Sequence, residues 1–241
     1  VMAGLDLLKK HEVEFNVLTP VHAANQEHGL EVYRFLRDGA GAQFMQFIPI
    51  VERDNETGFQ EGTAVTERSV SGSGYGRFMI EVFEEWVRLD VGQVFVQLFD
   101  VALAAWVGAP VGLCVFAETC GNALALEHNG DLYSCDHFVE PQHLVGNLAD
   151  SKLGEMVASP QQRAFGSAKR DTLPDQCRGC EVRFMCNGGC PKNRFTGTAD
   201  GQPGLNYLCD GYRPFFNHIR PAMDFMAAEL NARRPPANVM R

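Results

Sequence analysis

Four thiols crowd into one short stretch, Cys177-Arg-Gly-Cys180-Glu-Val-Arg-Phe-Met-Cys186-Asn-Gly-Gly-Cys190. The spacing reads C-x2-C-x5-C-x3-C, with Gly179, Gly188 and Gly189 between the cysteines. Thiolates so close together cannot all point away from one another, and glycine lets a backbone wrap tightly around a bound centre. Disulfide pairing suits this crowding poorly. C-x2-C spacing in a chain of ordinary globular size favours a metal instead. Cys114, Cys120 and Cys135 stand upstream and Cys209 downstream, which brings the total to eight. Eight thiols make two four-thiolate sites, enough for two [4Fe–4S] clusters or for two structural zinc ions.

Three elements surround these thiols. Asn129-Gly130, flanked by residues 123–128 and 131–135, predicts a β-hairpin with a two-residue loop in which both positions take positive φ. That hairpin delivers Cys135 and Asp136 from the end of its second strand. Ser151 to Ser159 predicts a short helix capped by Asp150 or Ser151. Pro214 to Arg233 predicts a closing helix that Pro221 kinks or splits, followed by a frayed tail.

Upstream of Gly108-Ala109-Pro110 the texture differs. Residues 13–19 and 43–51 predict short buried strands, with a third at 94–98. Helices are expected over 1–11, 27–37, 75–90 and 100–107, the third carrying Met79, Val82, Phe83 and Trp86 on one core-facing stripe. This βα alternation predicts an α/β architecture with a parallel sheet, about half of a barrel, where ligands sit at the carboxyl ends of strands. Residues 52–74 are polar and rich in glycine, the mark of a functional or mobile loop. The expected partition is 1–108 for the half barrel and 109–241 for a cysteine-rich α+β domain.

Composition narrows the partners. A net charge of −9 over 241 residues leaves no basic stripe to neutralise phosphates, so no nucleic acid is expected. No twenty-residue apolar run predicts a membrane span, and Val1-Met2-Ala3-Gly4-Leu5 lacks the pattern of a signal peptide. Free thiols at this density point to a reducing compartment, the cytoplasm, under low oxygen. The chain reads as a fragment or a processed form that begins inside a domain.

The whole cysteine array, C-x5-C-x14-C, then C-x2-C-x5-C-x3-C, then a cysteine after eighteen more residues, resembles the SPASM auxiliary-cluster domain of radical SAM enzymes. The segments Asn129-Gly-Asp-Leu-Tyr-Ser-Cys135-Asp136-His137-Phe138, Phe44-Met-Gln-Phe-Ile-Pro and Leu205-Asn-Tyr-Leu-Cys209-Asp resemble the anaerobic sulfatase-maturing enzymes. The likeness covers nearly all of the sequence. It departs at one point. The family's C-x3-C-x2-C, which holds the cluster that cleaves S-adenosylmethionine, is absent here; Cys186 and Cys190 have x3 spacing, but no cysteine sits three residues after Cys190.

The resemblance implies a partial enzyme, inactive alone, with two auxiliary [4Fe–4S] clusters. S-adenosylmethionine and a third [4Fe–4S] cluster are expected only in the full-length protein. That protein would oxidise an active-site Cys or Ser of a sulfatase, met as an unfolded chain or a derived peptide, to formylglycine. A deoxyadenosyl radical would remove hydrogen from the substrate Cβ, a base would take the heteroatom proton, and an auxiliary cluster would accept the remaining electron. Flavodoxin or ferredoxin is the implied electron donor. The resemblance also implies the ligand sets, crossed: Cys114, Cys120, Cys135 and Cys190 for one cluster, and Cys177, Cys180, Cys186 and Cys209 for the other. Asp136 takes the family's base position, and Gln46 and Phe47 lie where the family meets its cofactor.

Plainer readings stand beside these. Asp136 also suits a backbone cap at the hairpin end. His128 and His137 read first as surface or neighbouring histidines rather than ligands. Lys192 and Arg194 read first as solvated charge, and Gln46 and Phe47 suit any buried strand. Another SPASM-type peptide maturase, or a non-enzymatic module held by two zinc ions, remains an alternative function.

Overall fold

A computed structural model describes residues 1–121 and 123–241, in two compact units. The first comprises Val1–Val51, Glu67–Val111 and Leu208–Arg241; the second comprises Glu52–Thr66 and Gly112–Tyr207. This differs from a single cut at residue 108. Residues 52–66 group with the cysteine-rich part, and the carboxyl-terminal helix groups with the α/β part. No helix among the described residues is long and apolar enough to cross a membrane.

The first unit is built on a parallel sheet in the order β1-β2-β3, with β1 Asn16–Val21, β2 Phe44–Pro49 and β3 Phe95–Val96. β1 begins three residues later than the apolar run predicts and continues through Pro20, which pairs with Ile48. Proline is tolerated there because β1 is an edge strand among the described residues. The third strand shrinks to two residues because α4, Gln97–Trp106, starts at once. Helix α1 spans Met2–Lys10, and α2 spans Gly29–Arg34 before loosening into a π turn over Phe35–Gly39.

The pleat buries Met45, Phe47 and Val96 on one face of the sheet. Against that face lies α3, Gly72–Leu89, with Phe78, Met79, Val82, Phe83 and Trp86 inward. It starts three residues before Tyr75 because Ser71 Oγ accepts the Gly74 N–H at 3.0 Å. The glycines in its first turns, which look like loop in sequence, have a packing reason. α9, Cys209–Asn231, crosses so close that a Cβ on Gly76 would lie 2.6 Å from Gly211 Cα.

α9 runs unbroken through Pro214 and Pro221. Phe215, Phe216, Ile219 and Met223 are buried on it, and that apolar contact outweighs the two lost backbone donors. The tail does not fray: Arg234 and Asn238 both donate to the Glu229 carboxylate, and a 3-10 turn over Pro236–Met240 follows.

The second unit holds two small antiparallel sheets. In the first, β4 Ala125–Leu126 pairs with β5 Asp131–Tyr133, and β5 with β6 Leu144–Asn147. The Asn129-Gly130 turn is longer than expected. Gly130 takes φ 89°, Asn129 does not, and Glu127 N donates to Asp131 O, which makes a three-residue loop with a glycine bulge. α5 is Leu153–Val157, shorter than Ser151–Ser159, because Ser159 caps a further helix, α6 Pro160–Asp171. Two single-turn helices, α7 Asp175–Arg178 and α8 Arg183–Cys186, carry the crowded thiols, and β7 Thr196–Gly197 pairs with β8 Pro203–Leu205. Residues 52–66 are anchored: Gln60 N donates to buried Glu140 at 2.6 Å, and the Arg53 guanidinium stacks 3.3 Å from the Phe195 ring centre.

Candidate metal centres

Among the described residues none of the eight cysteines is in a disulfide, and Cys190 is buried. Local backbone bonds place them. In the α7–α8 stretch, Cys180 N donates to Cys177 O and Cys186 N to Val182 O. The chain then takes three successive left-handed residues, Asn187 (φ 45°), Gly188 (φ 72°) and Gly189 (φ 64°), before Cys190. Glycine is required at 188 twice over, since a Cβ there would also lie 2.4 Å from Leu173. Cys120 is pinned to α6, its N–H donating to Gly166 O at 3.0 Å; a Cβ on Gly166 would meet Cys120 O at 2.8 Å. The Asn187 side chain donates to Phe116 O, joining the Cys114–Cys120 segment to the crowded motif. Cys135 follows β5, in a turn closed by Phe138 N donating to Cys135 O.

Charge interactions link neighbouring thiols. Cys114 acts on Cys120, Cys120 on Cys190, and Cys190 on Cys135. Separately, Cys180 acts on Cys177. Burial pushes the thiols of Cys120, Cys177 and Cys190 up, and that of Cys135 up to about 12. Cys209, the first residue of α9, belongs to the first unit. Among the described residues, no group of three or more His, Cys, Asp or Glu is gathered tightly enough for a single metal ion.

Asp136 sits beside Cys135, whose Sγ donates to Asp136 Oδ1 at 3.1 Å. Burial would raise the Asp136 carboxyl. The Cys135 thiol, the charge of His137 and the backbone N–H of His137 more than offset that, and hold it below the usual carboxylate range. Burial and the Lys192 charge lower the pKa of His137, against the opposing pull of Asp136. His128 is a surface residue with 94% of its side chain exposed.

Arg194 corrects the sequence reading of solvated charge. Its guanidinium donates to the carbonyls of Gly188 (2.9 Å), Asn187 (2.6 Å), Gly189 (3.2 Å) and Lys169. Lys169 escaped notice in the sequence because α6 did. It is 1% exposed, and its Nζ donates to Cys114 O at 2.6 Å and Val115 O at 3.0 Å.

In the first unit, a cleft at one face of the sheet is lined by Asn16, Leu18, Gln46, Gln97 and Asp100 among others. Gln46 is there and Phe47 is not. Adjacent strand residues point to opposite faces, so the Phe47 ring is buried against Phe78, 5.3 Å between ring centres. As side-chain contacts of one ligand the two residues do not go together.

Residues 114–181 match the SPASM family, described as an iron-sulfur cluster-binding domain. Over its full length the sequence is 47% identical to a serine-type anaerobic sulfatase-maturating enzyme of Bacteroides thetaiotaomicron, covering 60% of that protein. The chain is similar to the anaerobic sulfatase-maturating enzymes along its whole length. A second such enzyme, the serine-type one from Klebsiella pneumoniae, is 34% identical over 95% of the chain and 54% of its own length. The fold is similar to native anSMEcpe with bound AdoMet and Cp18Cys peptide, with a TM-score of 0.81, 26% identity, and coverage of 95% of this chain and 62% of that one. The sequence thus spans about 60% of the Bacteroides sulfatase-maturating relative.

Proposed function

We propose that this chain is part of an anaerobic sulfatase-maturating enzyme and holds its two auxiliary [4Fe–4S] clusters, with the parallel sheet forming the later half of a radical SAM barrel. The observation that carries the reading is the SPASM match over residues 114–181, which takes in Cys114, Cys120 and Cys135, together with the series of charge interactions that joins these three to Cys190 across three separate segments. These four form the first ligand set. Cys177, Cys180 and Cys186 form the second, with Cys209 assigned to it on the resemblance alone. The donor chemistry fits. A lone zinc ion with ~2.3 Å bonds needs its sulfurs roughly 3.8 Å apart, whereas a polynuclear cluster takes thiols that sense one another across a wider gap.

When bound, the clusters would supply an electron acceptor for the reaction, and S-adenosylmethionine with a third cluster would supply the radical in the longer enzyme. The chain's own residues do the rest. Asp136, ionised at neutral pH and set beside the ligand Cys135, takes the proton from the substrate hydroxyl or thiol. Gln46, on the open face of β2, lines the space offered to cofactor or substrate. The peptide-bound neighbour supports a sulfatase-derived peptide as substrate. Flavodoxin or ferredoxin is the matching electron donor, and the cytoplasm the matching compartment.

Anaerobic loading with iron and sulfide tests the cluster reading: a brown chain with about eight iron per chain, two four-iron clusters, is expected. A colourless chain that takes up two zinc ions and no sulfide contradicts it. Incubating the enzyme that contains this chain with a sulfatase-derived peptide tests the reaction, and an unmodified peptide refutes it.

A further inference from the structure

Lys169 and Arg194 are two neighbouring cations without an acid between them. The thiols of Cys120, Cys190 and Cys114 act on Lys169, and those of Cys177, Cys186, Cys120 and Cys190 act on Arg194. Among the described residues neither side chain forms an ion pair with a carboxylate. Backbone carbonyls accept two hydrogen bonds from Lys169 and four from Arg194. Carbonyls are neutral, however, and leave two like charges uncompensated. Buried charges persist in proteins when they are paired.

The placement is specific. α6 lays Gly166 against the Cys120 carbonyl and, three residues on and so on the same helical face, sends Lys169 to the Cys114 carbonyl. Arg194 then donates to Lys169 O, so the second cation braces the helix that carries the first. The sequence offers no simpler reason for a lysine at 1% exposure in a helix whose other face is wet.

We propose that Lys169, backed by Arg194, is the counter-cation of the centre held by Cys114, Cys120, Cys135 and Cys190, and that it sets both the loading and the reduction potential of that centre. The inference rests on the cluster reading above. A centre carried by four thiolates is a net anion, and reduction adds one more negative charge. A fixed cation nearby in a weakly screening interior therefore favours the reduced form. Lys169 touches no substrate; it acts through the centre.

Two variants separate its charge from its hydrogen bonds. Lys169→Gln keeps an N–H donor for the Cys114 and Val115 carbonyls and removes the charge. Lys169→Arg keeps both. Each is made in the full chain, loaded anaerobically with iron and sulfide beside the unaltered protein, and read for iron content and for midpoint potentials by EPR-monitored redox titration. Lys169→Arg should retain the iron content and both potentials. Lys169→Gln should lose one cluster's worth of iron, or shift one potential more negative by at least tenfold in the reduction equilibrium, about 59 mV for a one-electron couple. If the two variants behave alike, whether both normal or both impaired, Lys169 serves only as a donor to the backbone and the proposal fails. Failure of the underlying reading looks different: the unaltered chain itself then holds no iron.

Discussion

Replacing Arg194 with methionine removes one side chain and four hydrogen bonds at once. The guanidinium holds the carbonyls of Asn187, Gly188 and Gly189, the left-handed stretch between Cys186 and Cys190, and ties them to Lys169 O on α6. A hydrogen bond to a charged group contributes about 1.5–3 kcal/mol net, so four independent ones would total roughly 6–12 kcal/mol. They are not independent, because one rigid fork makes them all, and some of the freed carbonyls can turn to water. A loss of about 3–5 kcal/mol, the upper range for single substitutions, is therefore expected. In a chain of this length that lowers the melting temperature by roughly 6–20 °C. Arg194→Lys should lose about half as much, since an ammonium keeps the charge but cannot span four acceptors. Scanning calorimetry of the anaerobically loaded chain, with iron content measured on the same sample, reads both effects. A shift in Arg194→Met of about 2 °C or less, with iron retained, would refute the claim that this residue fixes the cysteine loop.

Three further outcomes follow from the geometry. Gly211→Ala places a Cβ 1.9 Å from Gly72 O, so α3 and α9 must separate, at about 1–3 kcal/mol or more; an unchanged urea midpoint would contradict that contact. In the metal-free chain the Cys135 thiol, pushed up to about 12 by burial, lies above its ordinary unfolded value of roughly 8.5. The neutral thiol thus stabilises the fold below about pH 8.5, and that contribution is lost as pH rises towards 12. Urea midpoints should accordingly fall between mildly alkaline and strongly alkaline buffer, and equal midpoints would count against the burial of this thiol. Asp136→Asn, in the enzyme that contains this chain, should still cleave S-adenosylmethionine, while formylglycine per bound iron drops by about two to four orders of magnitude. Equal product per iron would remove Asp136 from the mechanism and leave it as a cap for the turn after β5.

The thiol ladder was legible because cysteine spacing survives folding unchanged, and the α3 stripe of Met79, Val82, Phe83 and Trp86 because helical periodicity does too. What escaped was whatever depends on a partner. Gly72 looks like loop until α9 is seen passing at backbone distance, and Gly74 until the Gln26 side chain is seen against it. Phe47 looked interchangeable with its neighbour Gln46, yet the pleat sends one to the α3 core and the other to the cleft. α6 carries signals of its own, with Ser159 as cap, Pro160 at the first position and Lys169-Arg170 in the last turn, and Lys169 is legible only once that helix is. Residues 52–66 looked like a loose connection because their anchors, Glu140 and Phe195, lie far along the chain.

The most direct test of the account is to ask which cluster each cysteine serves. Cys135→Ala, Cys190→Ala and Cys177→Ala chains, each loaded anaerobically, can be compared by iron content and by the EPR signals of the reduced clusters. The account predicts that Cys135→Ala and Cys190→Ala perturb the same signal, although Cys190 stands in the crowded motif, and that Cys177→Ala perturbs the other. A Cys190→Ala chain that shares its defect with Cys177→Ala and leaves the Cys135 signal intact would contradict it.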